Sequence, residues 1–384
     1  MSTVTTYQEA RSRLVKALTD NGDLRSPAWQ AAFEAVPRET FTPNFDIRDG
    51  EIRRAYAPGD SGYLEAVYTD TSLVTRWDGA GVATSSSTMP SLMARMLEAL
   101  TLPDDANILE IGTGTGYNTA LLCCRLGADN VTSVDVEPTL TAVARERLAQ
   151  LGYQPTVVTG DGMAGCSERA PYHAILATCG VRRIPIPWLR QLRPGGVVVT
   201  NIGAGIVRLV RHEDGGAEGR FLPETAAFML ARSGPEQDAE NGVHHLGLAL
   251  GEEGEALTDT IPTTSEDADR FFADLVLSDS LDLTLRQPEV LAVTLTRDDG
   301  RTHHCLMDPA TRSWARVTPV GGVTVCVEHG GSRDLWRERA DILSHWIRAG
   351  RPGPAGYGLR VAADGHHTLW RDGAEGREAW RLPG

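Results

Sequence analysis

The chain has 384 residues, with 37 Lys and Arg against 51 Asp and Glu, which gives a formal net charge of −14 at pH 7. This length exceeds that of one typical domain and predicts two. The acidic balance argues against a nucleic-acid partner, because phosphate binding depends on clustered Lys and Arg. Apolar runs are too short to span a membrane, the N-terminal sequence lacks a signal-peptide pattern, and the six cysteines are scattered. We therefore expect a soluble, cytoplasmic protein that binds neither nucleic acid nor membranes.

The predicted elements begin with a helical segment and continue as an α/β unit. Residues 1 to about 60 carry apolar side chains at helical spacing. Residues 61 to about 105 are less regular and end in a helix over 90–100, with Pro90 in its first turn. Residues 106 to about 230 alternate short apolar strands with helical stretches, a pattern that predicts a doubly wound parallel sheet.

The C-terminal third has a different character. A polar, turn-rich stretch over 233–242 is a predicted linker, and two hairpins are expected over 289–308 and 313–330. One amphipathic helix should follow, with Ser332 as its N-cap and Gly350 at its end. The predicted units are a helical N-terminal segment over 1–60, an α/β domain over 61–232 and an α+β accessory domain over 240–384.

The most informative motif is EIGTGTGYNTA, residues 110–120. It joins a predicted strand to a predicted helix, an arrangement that presents backbone N–H groups and a positive helix end to a ligand. Its glycines are Gly112, Gly114 and Gly116, whereas a dinucleotide fingerprint would place its third glycine at the position of Tyr117. A tight turn without the diphosphate pocket suits a cofactor with a carboxylate-bearing tail, such as S-adenosylmethionine.

Two acidic residues follow at the ends of the next predicted strands. Asp135 can accept hydrogen bonds from both ribose hydroxyls, and Asp161, followed by Gly162, can accept one from an adenine amino group. Alternatively, Asp135 caps the helix that starts near Pro138, and Asp161 with Gly162 is a turn dipeptide. Their order and spacing predict a Rossmann-like methyltransferase. The predicted cofactor-binding residues are Glu110, Gly112, Gly114, Gly116, Tyr117, Asp135, Asp161 and Gly162.

Several segments, taken in order, are typical of one family. They are AVPRETFTP (35–43), VYTD (67–70), a Ser/Thr-Met-Pro segment, LEIGTGTGYNTALL, GDG, and IPIPWLRQLRPGG. From about residue 30 to 230 the chain resembles the protein L-isoaspartyl O-methyltransferase family. The resemblance implies a carboxyl O-methyltransferase that uses S-adenosylmethionine and gives S-adenosylhomocysteine, with Asp70 among the substrate-binding residues.

The departures from that family lie where the substrate is expected. The repair enzymes are usually single-domain and carry Ile-Ser-Gln-Pro or Ile-Ser-Ala-Pro before the glycine loop, but here Ser87-Thr88-Met89-Pro90 puts Thr88 at the active-site serine position. The family's small apolar residues after the fourth strand become Thr178-Cys179. Together with the added domain, these changes resemble the methyltransferases of ATP-grasp peptide maturation (graspetide) systems. That resemblance implies a ribosomal precursor peptide as substrate, first macrocyclised by an ATP-grasp ligase. One of its aspartates is methylated, and the ester closes to a succinimide (aspartimide).

The chemistry needs little from the protein beyond alignment. A carboxylate is already the reactive anion at neutral pH, so positioning and exclusion of water are the main tasks. Hydroxyl groups can orient it by donating hydrogen bonds. Thr88, and next Ser87, are the predicted catalytic residues, with Ser85, Ser86 and Asp70 binding substrate. Alternatively, the Ser/Thr run before Pro90 is only a helix N-cap signal.

Other functions stay open at this level. General isoaspartyl repair uses the same chemistry on a different substrate. A non-catalytic peptide-binding module and a small-molecule methyltransferase are further alternatives, since a fold does not set the acceptor. His303-His304-Cys305 with Cys326 and His329 fits no common ligand spacing, so no metal is predicted. The tryptophans of the C-terminal third are expected in its core.

Overall fold

The computed structural model describes residues 6–49, 52–79, 81–232, 245–251, 254–276, 280–297, 300–373 and 376–383. The predicted linker, 233–242, lies outside these ranges. Within the described residues, no helix has both the length and the apolar character needed to cross a membrane.

The N-terminal part is helical only as far as residue 41. Its helices are α1 (Tyr7–Asp20), α2 (Pro27–Ala35) and α3 (Arg38–Phe41). A hairpin follows, formed by β1 (Phe45–Asp49) and β2 (Ile52–Tyr56). The prediction of helix to about residue 60 is therefore wrong for the hairpin. Phe45 is buried, Ile47 packs on the same core, and Phe45 stacks on its cross-strand partner Tyr56, an alternation typical of strands.

A small antiparallel sheet precedes the main one. Its further elements are α4 (Tyr63–Val67), β3 (Leu73–Trp77), β4 (Ala83–Ser87) and α5 (Pro90–Leu100). The strand order is β2-β1-β3-β4, so β4 is an edge strand. Helix α5 begins at Pro90 as predicted, because proline suits the first helical turn.

The central part confirms the predicted alternation. Its elements are β5 (Ile108–Ile111), α6 (Tyr117–Leu126), β6 (Val131–Asp135), α7 (Pro138–Gln150), β7 (Thr156–Thr159), β8 (Tyr172–Val181), α8 (Ile186–Gln191), β9 (Leu192–Ile202), β10 (Gly205–Arg211) and β11 (Ala217–Thr225). Strands β5 to β9 are parallel in the order β9-β8-β5-β6-β7. This is the expected Rossmann-like fold, and the carboxyl ends of β5, β6 and β8 lie side by side, where such sheets bind ligands.

The core lies on both faces of this sheet. Successive strand residues alternate between faces, so Ile108 belongs to a cluster with α1, α2 and α5, while Leu109 belongs to a cluster with α8 and the C-terminal strands. The N-terminal helices therefore cover one face of the sheet, and the position of α6 depends on them: Phe33 packs edge-on against Tyr117.

The C-terminal part contains a third sheet. Its elements are α9 (Leu246–Gly251), β12 (Glu255–Thr260), α10 (Ala268–Val276), α11 (Leu281–Arg286), β13 (Leu291–Thr296), β14 (Thr302–Asp308), β15 (Ser313–Gly321), β16 (Thr324–Gly330), α12 (Leu335–Arg348), β17 (Tyr357–Val361), β18 (His367–Gly373) and β19 (Gly376–Arg381). Strands β12 to β16 form an antiparallel sheet in the order β12-β16-β15-β14-β13, which confirms the two predicted hairpins. Trp314 and Trp336 are buried in its core, as expected.

Two features differ from the sequence-based expectation. Strands β17 to β19 join the main sheet, because β17 pairs with β11, so residues 240–384 do not form one separate unit. Helix α12 is capped by Asp334 rather than Ser332: the Asp334 carboxylate accepts a hydrogen bond from the Arg337 N–H at 3.0 Å.

Candidate active site

A cavity of about 980 Å³ opens at the carboxyl ends of β5, β6 and β8. Five continuous segments form most of its walls: 82–88, 111–115, 134–136, 178–183 and 227–232. This volume is typical of sites for small molecules and cofactors. The glycine loop and the hydroxyl-rich strand β4, far apart in the sequence, therefore line one space.

The glycine loop is held mainly by its own backbone. Gly112, with φ +95°, donates its N–H to the Val134 carbonyl at 2.8 Å. Gly114, with φ +51°, donates to the Asp135 carboxylate, also at 2.8 Å. The expectation that these N–H groups face a ligand is therefore wrong, since they tie the loop to β6. The side chain of Thr178 closes the turn from the other side by donating to the Gly112 carbonyl.

Replacement of Gly112 by Ala tests this construction. An alanine there keeps a strained positive φ, and its Cβ would lie 2.9 Å from the Thr178 Oγ1. Gly22→Ala is the matched control, because Gly22 has φ +79° but open space around its Cβ position. We expect both to lose about 1 kcal/mol of stability, and only Gly112→Ala to lose S-adenosylmethionine affinity, measured by calorimetry. Equal affinity in the two variants would contradict the expectation.

Two predicted cofactor residues do not line the cavity. Gly116, with φ +88°, lets the loop approach α7, where its Cβ would lie 3.1 Å from that of Ala144. Glu110 is fully buried behind the loop. Its carboxylate accepts hydrogen bonds from Asn118, Thr119 and Ser133, which links β5 to α6 and β6. Burial is the largest influence on this carboxyl group and raises its pKa to about 7.

The other predicted cofactor residues line the cavity, with the exception of Asp161. Asp135 lines the cavity, and each of its oxygens accepts one N–H, from Gly114 and from Glu137. Tyr117 and Gly162 also line it. Asp161 does not: it accepts the N–H of Met163 at 2.9 Å, which supports the turn alternative.

Strand β4 brings the predicted acceptor side into the cavity. The segment from Ser85 to Thr88 lines it throughout, with Ser85 and Ser87 buried and Ser86 and Thr88 partly exposed. The Ser86 carbonyl oxygen lies 3.8 Å from the position that a Gly114 Cβ would take, so β4 faces the glycine loop directly. This edge strand and the loop therefore enclose the space in which two ligands could meet.

Asp70 has a different position from the predicted one. It does not line the cavity, and its carboxylate accepts the N–H of Ser91 at 2.8 Å. Ser91 lies in the first turn of α5, so Asp70 supplies the cap that Met89, the residue at the N-cap position, cannot provide. Its negative charge also suits the helix N-terminus.

Sequence reasoning missed the buried Arg38 of the PRETF motif. Its guanidinium is inaccessible to solvent and donates to backbone carbonyls of residues 67–71 and of the hydroxyl segment itself, including Thr71 at 3.0 Å and Thr88 at 3.2 Å. Burial lowers its pKa to about 10, so it stays charged at neutral pH. The signal in the sequence was an arginine within PRETF, a motif typical of the family.

The far wall of the cavity was also missed. The segment 226–232 runs along the end of β8, where Gly180 donates its N–H to Met229 and accepts one from Ala231, both at 2.8 Å. Arg182, Arg183 and Arg232 line this side. The Arg-Arg pair directly after a predicted strand was the signal in the sequence.

Comparison with known proteins gives the family. The family model described as Protein-L-isoaspartate(D-aspartate) O-methyltransferase (PCMT) matches residues 50–226. The protein-L-isoaspartate O-methyltransferase of Hyperthermus butylicus is 32% identical over 228 residues, which cover 56% of this chain and 85% of that protein. This chain belongs to the protein-L-isoaspartate O-methyltransferase family. A second such protein, from Pelobacter propionicus, is 39% identical over 182 residues, covering 47% of this chain and 70% of its own length.

Membership places the chain among S-adenosylmethionine-dependent protein carboxyl methyltransferases. A solved structure described as a protein-L-isoaspartate O-methyltransferase matches with a TM-score of 0.54 at 23% identity, covering 94% of this chain and 98% of that one. At this identity the match concerns the fold alone. It extends over nearly the whole chain, so the shared fold includes most of the C-terminal part.

Proposed function

We propose that this protein methylates an aspartate side chain of a ribosomally made precursor peptide that an ATP-grasp ligase has already cross-linked. The observation that carries the proposal is the single cavity in which β4, with its hydroxyl groups, faces the glycine loop. The enzyme class, carboxyl O-methyltransferase, follows from membership of the family. The specific substrate rests on the departures at Thr88 and at Thr178-Cys179.

The cavity has the features that S-adenosylmethionine requires. A carboxylate offers about four lone-pair sites, and Asp135 has used two, which leaves one on each oxygen for a ribose diol. Val136, Leu140 and Met163 add apolar wall for an adenine ring. The carboxylate-bearing tail would lie towards the N-terminus of α6, whose dipole favours negative charge. When bound, the cofactor supplies a sulfonium methyl group that passes to a carboxylate oxygen as the S–C bond breaks.

The chain's own residues hold the acceptor. Thr88 and Ser86 are the partly exposed hydroxyls of the segment and would donate hydrogen bonds to the aspartate carboxylate without protonating it. The Ser87 hydroxyl accepts a long hydrogen bond from the Arg38 Nε at 3.5 Å, so Ser87 helps to anchor the segment to this buried arginine. The walls exclude water, which leaves the carboxylate poorly solvated and reactive.

The product then changes without further help from the protein. The methyl ester is attacked by the nitrogen of the following peptide bond. The N–C bond forms, methanol leaves with the amide proton, and a five-membered succinimide remains. Such intramolecular reactions are favoured by high effective concentration.

General isoaspartyl repair is the second candidate, because the relatives are named protein-L-isoaspartate O-methyltransferases. We further propose that the sheet β12 to β16 helps to select the precursor. The candidates are separated by incubating the enzyme and S-adenosylmethionine with an isoaspartyl peptide and with a cross-linked precursor, and following both by mass spectrometry. A methyl gain on the precursor alone, followed by net loss of water, supports the proposal. Methylation of the isoaspartyl peptide alone supports repair. Cofactor binding without turnover supports a non-catalytic module.

The role of Thr88 gives a sharper test. Thr88→Val keeps the shape and removes the hydroxyl, whereas Thr88→Ser keeps the hydroxyl. A hydrogen bond to a charged group is worth about 1.5–3 kcal/mol, so kcat/KM should fall roughly tenfold to hundredfold in Thr88→Val and little in Thr88→Ser.

The control is Thr101→Val, an exposed threonine at the C-terminal end of α5 and outside the cavity. Cofactor affinity should be unchanged in all three variants. Equal activity of Thr88→Val and Thr101→Val would mean that the Thr88 hydroxyl does not hold the acceptor.

A further inference from the structure

The wall opposite the glycine loop carries most of the cavity's charge. Among the described residues that line the cavity, the charged side chains are two carboxylates, Asp78 and Asp135, and three guanidinium groups, Arg182, Arg183 and Arg232. The whole chain has a net charge of −14. The net charge of the cavity lining is therefore positive, whereas that of the whole protein is negative. This local excess of positive charge needs an explanation.

The two lining carboxylates already have hydrogen-bond donors from the chain. Asp135 accepts the N–H groups of Gly114 and Glu137, and Asp78 accepts that of Val82 at 2.8 Å. Arg182 donates to the Pro288 carbonyl at 2.8 Å, which fixes the start of this wall against the segment after α11. A fixed guanidinium loses less conformational freedom when it binds a carboxylate.

The wall is also partly apolar. Met229 and Leu230 are 39% and 46% exposed although both are large hydrophobic residues lining the cavity. Their backbone is held in place by the hydrogen bonds with Gly180, so their exposure belongs to an ordered segment. Exposed apolar side chains beside cationic ones fit a peptide that carries acidic and apolar residues.

We infer that this wall binds acidic side chains that flank the methylated aspartate, so that the substrate is an acidic peptide segment. The inference rests on the proposed function, because it takes a peptide carboxylate as acceptor. The reacting carboxylate lies between β4 and the glycine loop, on the other side of the cavity. The arginines are therefore placed to bind neighbouring residues, and they need not bind the acceptor, whose reactivity a close cation would lower.

The test compares two cross-linked precursor peptides, in which the methylated aspartate is flanked by free glutamates in one and by glutamines in the other. We expect kcat/KM to be about tenfold higher for the glutamate peptide, since two or three partly exposed ion pairs, each weak, together give a factor of this order. The advantage should shrink as salt rises, because exposed charges are screened. Arg183→Glu should abolish the preference and leave cofactor affinity unchanged.

The matched control is Arg190→Glu, which makes the same charge change at an exposed site on α8 outside the cavity. It should keep the preference for the glutamate peptide. Equal rates for the two peptides, or the same loss in Arg183→Glu and Arg190→Glu, would overturn the inference. Loss of cofactor affinity in Arg183→Glu would also overturn it, because the arginine would then serve the cofactor.

A binding measurement separates this inference from the proposed function. Fluorescence anisotropy with labelled peptides and the wild-type enzyme, saturated with S-adenosylhomocysteine, needs no turnover. Tighter binding of the glutamate peptide without methylation of either peptide would support the acidic-peptide wall and contradict the proposed reaction. Equal binding with methylation of both would support the reaction and contradict the wall.

Discussion

Replacing Arg38 by Met is expected to lower the free energy of unfolding by about 3 kcal/mol or more. The guanidinium is fully buried and donates to the carbonyls of Val67 and Thr69 at 3.1 Å, of Thr71 at 3.0 Å and of Thr88 at 3.2 Å. Methionine fills part of the space but donates to none of these carbonyls, and each buried acceptor that loses its last partner costs about 1 kcal/mol or more. The segments before β3 and after β4 would then lose their common anchor.

The activity of Arg38→Met should fall by more than the loss of folded protein explains. Thr88 is the predicted catalytic residue, and its carbonyl is one of the groups that Arg38 fixes. Arg38→Lys should be intermediate, because an ammonium group has three donors where guanidinium has five. Urea unfolding and kcat/KM per folded molecule are the measurements.

Arg25→Met is the matched control for these variants, since Arg25 has an exposed side chain. It should stay within about 0.5 kcal/mol of wild type. If Arg38→Met were as stable as Arg25→Met, the carbonyl cluster would not depend on this arginine.

Local patterns in the sequence predicted much of the fold. The five parallel strands of the main sheet, the glycine loop and the two C-terminal hairpins depend on residue spacing within about ten positions, which a single sequence displays. The positive φ values of Gly112 and Gly116 explain why glycine is needed there. The carboxyl-edge location of the cavity then follows from a parallel sheet.

Long-range partners were not predictable in the same way. Glu110 and Asp70 look like site residues in a motif, but one supports the loop from behind and the other caps α5. In both cases the deciding contact lies 8 to 23 residues away along the chain. The pairing of β17 with β11 spans more than a hundred residues, so no local signal marks it.

The Glu110 carboxyl group should make stability fall as pH rises. Its pKa is raised to about 7 by burial, above the usual value of 4.5. Below about pH 4.5 the carboxyl is protonated in both states. Between about 4.5 and 7 the unfolded chain loses this proton and the folded protein keeps it, so the folded state binds more protons and the free energy of unfolding decreases with pH. Above about pH 7 the group is ionised in both states and its contribution is constant.

Glu110→Gln isolates this effect, because an amide of the same shape does not titrate. The difference in unfolding free energy, Glu110→Gln minus wild type, should rise by on the order of 2–4 kcal/mol between about pH 5 and pH 8, at 1.36 kcal/mol per pKa unit. Urea unfolding across that range measures it, and other titrating groups cancel in the difference. Glu65→Gln, at an exposed position on α4, should give a flat difference. A flat or falling difference for Glu110→Gln would mean that the donors from Asn118, Thr119 and Ser133 outweigh burial and keep the carboxylate ionised behind the glycine loop.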